Sequence, residues 1–406
     1  MALLPVAQAL ARILEGVAPT SAEPVDLLHA RGRTLAGPLE AKFSQPPFAV
    51  SAMDGYAVRA ADVTTVPAKL TLIGESAAGR RYSGRVEAGQ CVRIFTGAPI
   101  PEGADAIVIQ EDTSRVGGGI TISEASPWGH YVRPMGMDFS LGEILINPGR
   151  VLDARALTLA ASMGHAVLPC HRKPRVAILA TGDELVWPGE QPGPDSIMCS
   201  NSFGLAALVE SAGGAAVLLG IARDTQDSLA EKISQANDAD ILVTTGGASV
   251  GDHDLVAPAL QAAGMTLDFW KIAMRPGKPL MFGQRATQHV AAQRVLGLPG
   301  NPVSSLICGR IFLVPLIEAM LGRPRTGAAT QNARTTMALE ANGPRTHYMR
   351  AVLVYETNSA TCVTPVASQD SSLVSPLANA SCLIVRDVNA PAVPAGGEVS
   401  VMLIDF

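Results

Sequence analysis

The stretch RVAILATGDELV (175–186) holds, after Arg175, an unbroken apolar run and then turns abruptly to Thr181-Gly182-Asp183-Glu184. A run with no polar alternation has no solvent face. It reads as a strand covered on both sides, as in a parallel sheet between helices. The sequence beyond it keeps to that pattern. Ser202 to Ala212 has helical texture and stops at Gly213-Gly214, and AAVLLGI (215–221) is the next strand. Gln226 to Ala236 is helical, and DILVTT (240–245) is another strand. MTLDFWKIA (265–273), PLMFG (279–283) and RVLGLPG (294–300) are further strand candidates. A long apolar helix is expected from Pro302 to Leu321, with Asn301 as its cap and Pro302 in the first turn. Gly322 and Pro324 would end it. Strand–helix alternation of this kind predicts a doubly wound, mostly parallel α/β sheet with helices on both faces.

The flanks differ. From Pro38 to about Pro148 the chain consists of short β-like runs broken by Gly and Pro, such as LTLIGES (70–76) and ADAIVIQED (104–112). Before this region, Val6, Leu10, Ile13, Leu14 and Val17 mark one face of an amphipathic helix. From Arg325 to Phe406 β texture returns, in a segment the size of a small barrel or sandwich.

With 406 residues the chain is too long for one ordinary core. Hydrophobic residues make up 48% and charged residues 17%, which is a globular composition. Only 4% are aromatic, too few for single-strand stacking platforms, and a net charge of −5 gives no field to attract a polyanion. An anionic substrate would need a local basic cluster, and neither a nucleic-acid nor a membrane partner is expected. The six cysteines form no CxxC pair and read as buried reduced thiols. That pattern, with an N-terminus lacking a basic n-region, predicts a cytoplasmic protein. The apolar stretch from Gly204 to Ala222 is interrupted by Glu210, Ser211 and two glycines, so it reads as helix, cap and strand rather than a membrane span.

There is no GxGxxG after a strand, no Walker-type loop and no HExxH. In an open α/β sheet ligands bind beyond the carboxyl ends of the strands, so the residues following each strand are the candidates. These are Thr181–Glu184, Arg223-Asp224, GGASVGDHD (246–254), MRPGKP (274–279) and PGNPVSS (299–305). Gly246, Gly247 and Ser249 belong to a loop that can bring backbone N–H groups to a phosphate, although a ligand-free tight turn has the same glycines. Asp224, Asp252 and Asp254 are hard oxygen donors suited to Mg²⁺ beside a phosphate. Asp224 could instead cap the helix near Gln226, Glu184 could be a solvated loop charge, and His253 reads as structural or solvent-facing. Arg275 and Lys278 flank a Pro-Gly turn and make a plausible oxyanion site. Ser304, in the first turn of the 302–321 helix, would add a donor. In the N-terminal β region Asp54-Gly55, between apolar runs, is an ordinary hairpin signal, and Thr96-Gly97 a turn.

Together these segments resemble the MoeA and gephyrin E-domain family. The resemblance is carried by SAMDGYAV (51–58), RIFTGAPIPEGADAIV (93–108), ILATGDELV (178–186), GGASVGDHD (246–254), KIAMRPGKP (271–279) and GLPGNPVSS (297–305), in order along nearly the whole chain. It implies a molybdopterin molybdenumtransferase, in which molybdate is inserted into adenylylated molybdopterin with release of AMP, supported by Mg²⁺. It implies four parts: an elongated helical and extended N-terminal domain (1–45 with 140–173), an inserted β domain (46–139), the molybdopterin-binding α/β domain (174–323) and a C-terminal β-barrel (324–406). It further implies a homodimer with the active site shared between subunits. Carried over residue by residue, Asp54, Thr96, Glu184, Asp224, Asp254 and Lys271 match catalytic positions, with Asp224 and Asp254 toward the metal. Gly246, Gly247, Ser249, Arg275, Lys278, Ser304, Arg350 and Ser371 match binding positions. Two departures stand out: Arg275 where some relatives have Lys, and QDSS (369–372) where many have a Gly-Ser-His version, which leaves Ser371 and Ser372 to be told apart. Two other readings stay open, a molybdopterin adenylyltransferase and a non-catalytic scaffold of the same fold.

Overall fold

The computed structural model describes residues 3–247, 255–324, 329–354 and 361–404. At its centre is a six-stranded sheet in the order Ala215–Ala222, Arg175–Thr181, Ile241–Thr245, Gln293–Leu298, Met281–Arg285, Thr266–Trp270. The first four are mutually parallel, and Met281–Arg285 runs antiparallel between its two neighbours. The unbroken apolar runs are explained by two cores, one on each face. Val176, Ile178, Val243 and Leu296 pack with Leu205, Leu208, Ile307 and Phe312 from the helices Asn201–Ser211 and Pro302–Met320. Ala177, Leu179, Leu242 and Val295 alternate to the other face and meet Leu229, Ile233 and Leu260 from Gln226–Ser234 and Val256–Ala262. The 204–222 stretch divides as its interruptions predict, into the helix ending at Ser211 and the strand Ala215–Ala222.

The helix expected from Pro302 to Leu321 runs to Met320, with a π-helical segment at Gly309–Leu313. Pro315 follows that segment; its missing N–H and its ring disturb the i→i−4 ladder one turn back, which a wider turn accommodates. By length and composition this 19-residue run could cross a membrane, but 78% of it is buried inside the protein, as befits a core helix. Asn301 holds the cap position, yet its side chain makes no cap hydrogen bond, contrary to expectation.

The helix Val6–Leu14 packs Ala9 and Ile13 onto the α/β core, with Leu10 and Leu14 beside them. Ala22–Asp26 then pairs antiparallel with Val167–His171, so the chain leaves and returns to one small domain whose core includes Leu35, Leu152 and Ala160. Between those strands sits a separate sheet in the order Ala106–Ile109, Gly55–Val58, Gln90–Ile94, Ala68–Ser76, Gly119–Ile122, Thr113–Val116. The Asp54-Gly55 hairpin does not form. Val50–Ser51 pairs with Val132–Arg133, whereas Gly55–Val58 pairs with Gln90–Ile94 and Ala106–Ile109. Gly55 is a buried strand residue whose Cβ would lie 2.0 Å from the Val108 carbonyl oxygen, so glycine serves close approach rather than a turn.

The C-terminal strands Thr346–Val354, Cys362–Pro365, Thr330–Thr335, Glu398–Leu403 and Cys382–Arg386 close into a five-stranded barrel, the last pairing with the first. Met274–Arg275, from the α/β domain, adds to the barrel parallel to Thr346 and His347. That pairing seats the barrel beside the strand-end loops.

Candidate active site

At the carboxyl ends of the parallel strands lies a cleft of ≈ 710 Å³, within the usual range for small-molecule sites. Its walls come from five segments: Thr181 with Glu184 and Leu185, Ile197 to Asn201, Thr245 to Gly247, Pro279, and Pro299 to Pro302. Ser372 of the barrel closes one side. Gly246 and Gly247 have φ of +91° and +60°, so the described start of the glycine loop is left-handed as its composition suggests. A Cβ on Gly246 would stand 2.6 Å from the Thr181 carbonyl oxygen, so two strand ends meet there with no room for a side chain. The Glu184 carboxylate folds back over Gly182, where an added Cβ would meet it at 2.4 Å. Ser249, Asp252, His253 and Asp254 lie outside the described residues.

Lys271, Arg275 and Lys278 sit on one loop. Ile272 N–H donates to the Lys278 carbonyl at 3.0 Å, which closes it. The barrel holds the loop at Arg275, and Leu4 of the N-terminal segment holds it at residues 271–273. Lys271 has φ +84°, a left-handed conformation that costs a non-glycine residue energy and is favoured only where the surroundings impose it. Gly277 rests on Cys308, whose Sγ would be 2.4 Å from a Cβ at that position. Among the described residues none of the three cations forms a salt bridge, whereas many surface arginines of this chain do. Arg275 lies beside buried His347, whose pKa is pushed down to about 4 by burial and then by Arg275, Arg345 and Arg386, so that imidazole is neutral and adds no charge.

The barrel contributes the loop 368–373. Arg350 is 1% exposed, and its guanidinium donates to the carbonyls of Leu373 (2.9 Å), Ser368 (3.0 Å) and Asp370 (2.8 Å). Gln369 closes a reciprocal pair with the Arg350 backbone. Both terminal nitrogens of Arg350 are thus engaged in holding this loop. The loop packs on the start of the Pro302–Met320 helix: Val303 N–H donates to the Ser371 carbonyl at 3.2 Å, and Asn301 Nδ2 to Ser371 Oγ at 2.9 Å. Ser372 Oγ and N–H both donate to Asp370 Oδ1, at 2.8 and 2.9 Å. Ser304 is buried one turn into the helix.

Asp224 is exposed, and the helix after it is capped by Thr225, whose hydroxyl accepts from Ser228 N–H. The capping alternative for Asp224 is thereby removed. Its own N–H donates to Asp183 Oδ1 at 3.2 Å. Asp183 was legible as part of the post-strand motif but was not singled out. Asn201 and Asn301, also on the cleft wall, were missed as site residues, since neither carries a charge or a recognised ligand spacing. Among the described residues no group of three or more His, Cys, Asp or Glu could hold a metal ion.

Asp54 and Thr96 are brought together, but away from this cleft. Asp54 Oδ1 accepts from Thr96 N–H at 2.7 Å and from its hydroxyl at 2.8 Å. Those two bonds, helped by Arg93 and opposed by slight desolvation, hold the Asp54 carboxyl below its ordinary pKa. Neither residue lines the α/β cleft of its own chain.

Known proteins resemble this chain over nearly its whole length. Residues 4–164 match the MoeA N-terminal region (domain I and II), 177–319 a probable molybdopterin binding domain, and 332–404 the MoeA C-terminal region (domain IV). The chain is similar to the molybdopterin molybdenumtransferase of Haemophilus influenzae, 34% identical with 98% of each chain covered. It is similar to that of Bacillus subtilis, 31% identical over 99% of this chain and 94% of the relative. The crystal structure of a molybdopterin biosynthesis MoeA protein from Pyrococcus horikoshii has a TM-score of 0.86 at 29% identity, covering 100% of both chains.

Proposed function

The chain belongs to the MoeA family, and from that premise we propose that it is a molybdopterin molybdenumtransferase that inserts molybdate into adenylylated molybdopterin and releases AMP. The observation that carries this reading is the meeting of the strand-end loops with the barrel loop in one cleft, next to three cations that no described carboxylate neutralises. Molybdate is a tetrahedral dianion. Lys271, Arg275 and Lys278 supply positive charge, and Ser304 and Ser371 supply hydroxyl donors. Gly246 and Gly247, with Ser249 from the same motif, offer backbone donors to the phosphates. Glu184 and Thr181 shape the floor beside them. No covalent enzyme intermediate is needed, because the substrate already carries an activated anhydride.

Mg²⁺ is the divalent ion we assign, held by Asp224 and Asp254. Asp224 is exposed and not used as a cap. Mg²⁺ commonly keeps several waters and takes only one or two carboxylates plus substrate phosphate, so a three-ligand cage is not required. When bound, it supplies neutralisation of phosphate charge. We further assign a homodimer, with Asp54 and Thr96 of one subunit completing the cleft of the other, and a cytoplasmic location.

The test is to incubate the purified protein with adenylylated molybdopterin, Mg²⁺ and molybdate. Molybdate-dependent AMP release supports the proposal. Consumption of ATP with unmodified molybdopterin would point instead to an adenylyltransferase, and inertness in both assays to a scaffold.

A further inference from the structure

Asn301 has the extended backbone of a cap residue, φ −64° and ψ 127°, but not the cap's side-chain bond. A capping asparagine uses its carbonyl oxygen to accept from the first turn. Here the amide turns to the barrel and Nδ2 donates to Ser371 Oγ at 2.9 Å. Its own loop is fixed from behind, because Asn201 Nδ2 donates to the Gly300 carbonyl at 2.7 Å. Ser371 is fixed as well. Val303 N–H holds its carbonyl, and the buried Arg350 grips the residues on either side. A serine hydroxyl has one proton and two acceptor positions. With Asn301 donating into one acceptor position, the proton of Ser371 is left to give to another group. Ser372, which lines the cleft, cannot replace it as a donor, because its hydroxyl proton is already committed to Asp370, whereas Ser371 stands behind the lining and meets the cleft wall through Asn301.

We propose that Asn301 is a positioning residue for the anionic substrate: by donating to Ser371 it keeps the Ser371 hydroxyl available as a donor to molybdate. The proposal rests on the molybdate-binding reading of the cleft. It also distinguishes two adjacent serines that the sequence leaves equivalent, Ser371 as a donor and Ser372 as a loop tie.

The experiment uses the full-length protein and titrates molybdate and adenylylated molybdopterin separately, with AMP release as the readout, in wild type, Asn301→Ser, Ser371→Ala and the double variant. Serine can cap the helix but is too short to reach Ser371, so the melting temperature should hold or rise. Half-saturating molybdate should rise about tenfold in Asn301→Ser, as for a lost hydrogen bond to a charged group. Half-saturating pterin substrate should stay within about twofold. The double variant should be no worse than Ser371→Ala, because both changes remove one interaction. Wild-type molybdate dependence in Asn301→Ser, additive penalties, or an equal rise for both substrates would each overturn the proposal. Should Asn301→Ser melt early, Asn301→Asp takes its place. Aspartate caps as well as asparagine and can only accept, so it draws the Ser371 proton to itself. Its penalty must vanish in the Ser371→Ala background, and one that persists there comes from charge or fold and overturns the idea. A wild type that releases no AMP sinks the parent reading and this proposal together, while an active wild type with a silent Asn301 sinks this proposal alone.

Discussion

Asp54 accepts two hydrogen bonds from one residue, the N–H and the hydroxyl of Thr96, and the backbone bond is the larger influence on its acidity. A carboxyl whose folded pKa is depressed stabilises the fold above its unfolded pKa, and that contribution is lost as the pH falls through the folded value. Thr96→Val removes the hydroxyl and keeps the N–H. The Asp54 pKa should therefore climb part of the way back to the ordinary carboxylate value, and the acid limb of the AMP-release profile should move up in pH with it. A carboxyl-carbon NMR titration of Asp54 beside the pH–rate profile checks both, and an unmoved titration would show that the hydroxyl bond is idle. Arg350 raises a second residue-scale question, whether its charge or its shape matters. Its two terminal nitrogens span three carbonyls, which a single ammonium cannot do. Arg350→Lys should lose about 1–3 kcal/mol of stability, through buried carbonyls left without donors. It should also raise the molybdate requirement as much as Arg350→Ala does. If lysine restored wild-type molybdate dependence, charge alone would be the contribution.

Strand ends and the loops they launch form the next scale, and glycine geometry makes their test sharp. Gly246 and Gly264 both have φ +91°, so alanine meets similar backbone strain at either position. Around Gly264 nothing lies within 4 Å of an added Cβ, whereas at Gly246 it would meet the Thr181 carbonyl oxygen at 2.6 Å. Gly264→Ala should cost about 1–2 kcal/mol and leave activity alone. Gly246→Ala should cost more and also displace the cleft wall, with AMP release falling beyond what the lower melting temperature explains. Equal kinetics in the two variants would show that the close approach has no part in catalysis. The same scale shows what was legible in the sequence. Strands such as Arg175–Thr181 were readable because a two-faced core demands an unbroken apolar run, and the cleft followed from the rule about strand ends. Gly55 was misread because hairpin chemistry and close strand approach use the same residue, and only the distant partner Val108 distinguishes them. The left-handed backbone of Lys271 gave no signal, since it is imposed by contacts and not by the residue's own chemistry. The cap position of Asn301 was readable, but its bond reaches a serine 70 residues away. Arg350 was legible through the resemblance alone, and its burial beneath the 368–373 loop depends on barrel closure.

The arrangement of the whole molecule separates two groups of residues that the proposed mechanism would need together. The α/β cleft is lined by its own strand-end loops and the barrel's Ser372, while Asp54 and Thr96 belong to the inserted sheet and do not line it. Within its own domain the exposed Asp54 carboxylate ties only Thr96, and its second oxygen has no hydrogen-bond donor among the described residues. Where the chain enters and leaves this domain, Phe43, Met135, Met137 and Leu141 are each at least 60% exposed, which is apolar surface suited to a partner. A two-fold dimer in which each inserted domain reaches the other subunit's cleft would join the two groups. Such an arrangement predicts complementation between inactive variants. Asp54→Ala and Asp254→Ala should each be nearly inactive alone. After mixing and subunit exchange, about half of the dimers should be hybrids. Each hybrid has one cleft carrying both substitutions and one carrying neither, so roughly a quarter of all clefts should be intact. Recovered AMP release near that fraction, with exchange verified by mass spectrometry of differently tagged chains, is the expected outcome. If hybrids form and no activity returns, Asp54 and Asp254 act on the same chain's cleft or Asp54 serves only its own fold. A linked control separates a shared site from both of those cases: a single-chain tandem dimer carrying both substitutions in one half should keep about half of wild-type activity if each acts within its own chain, in catalysis or in folding, but lose nearly all of it if the sites are shared, because each substitution then disables a different cleft.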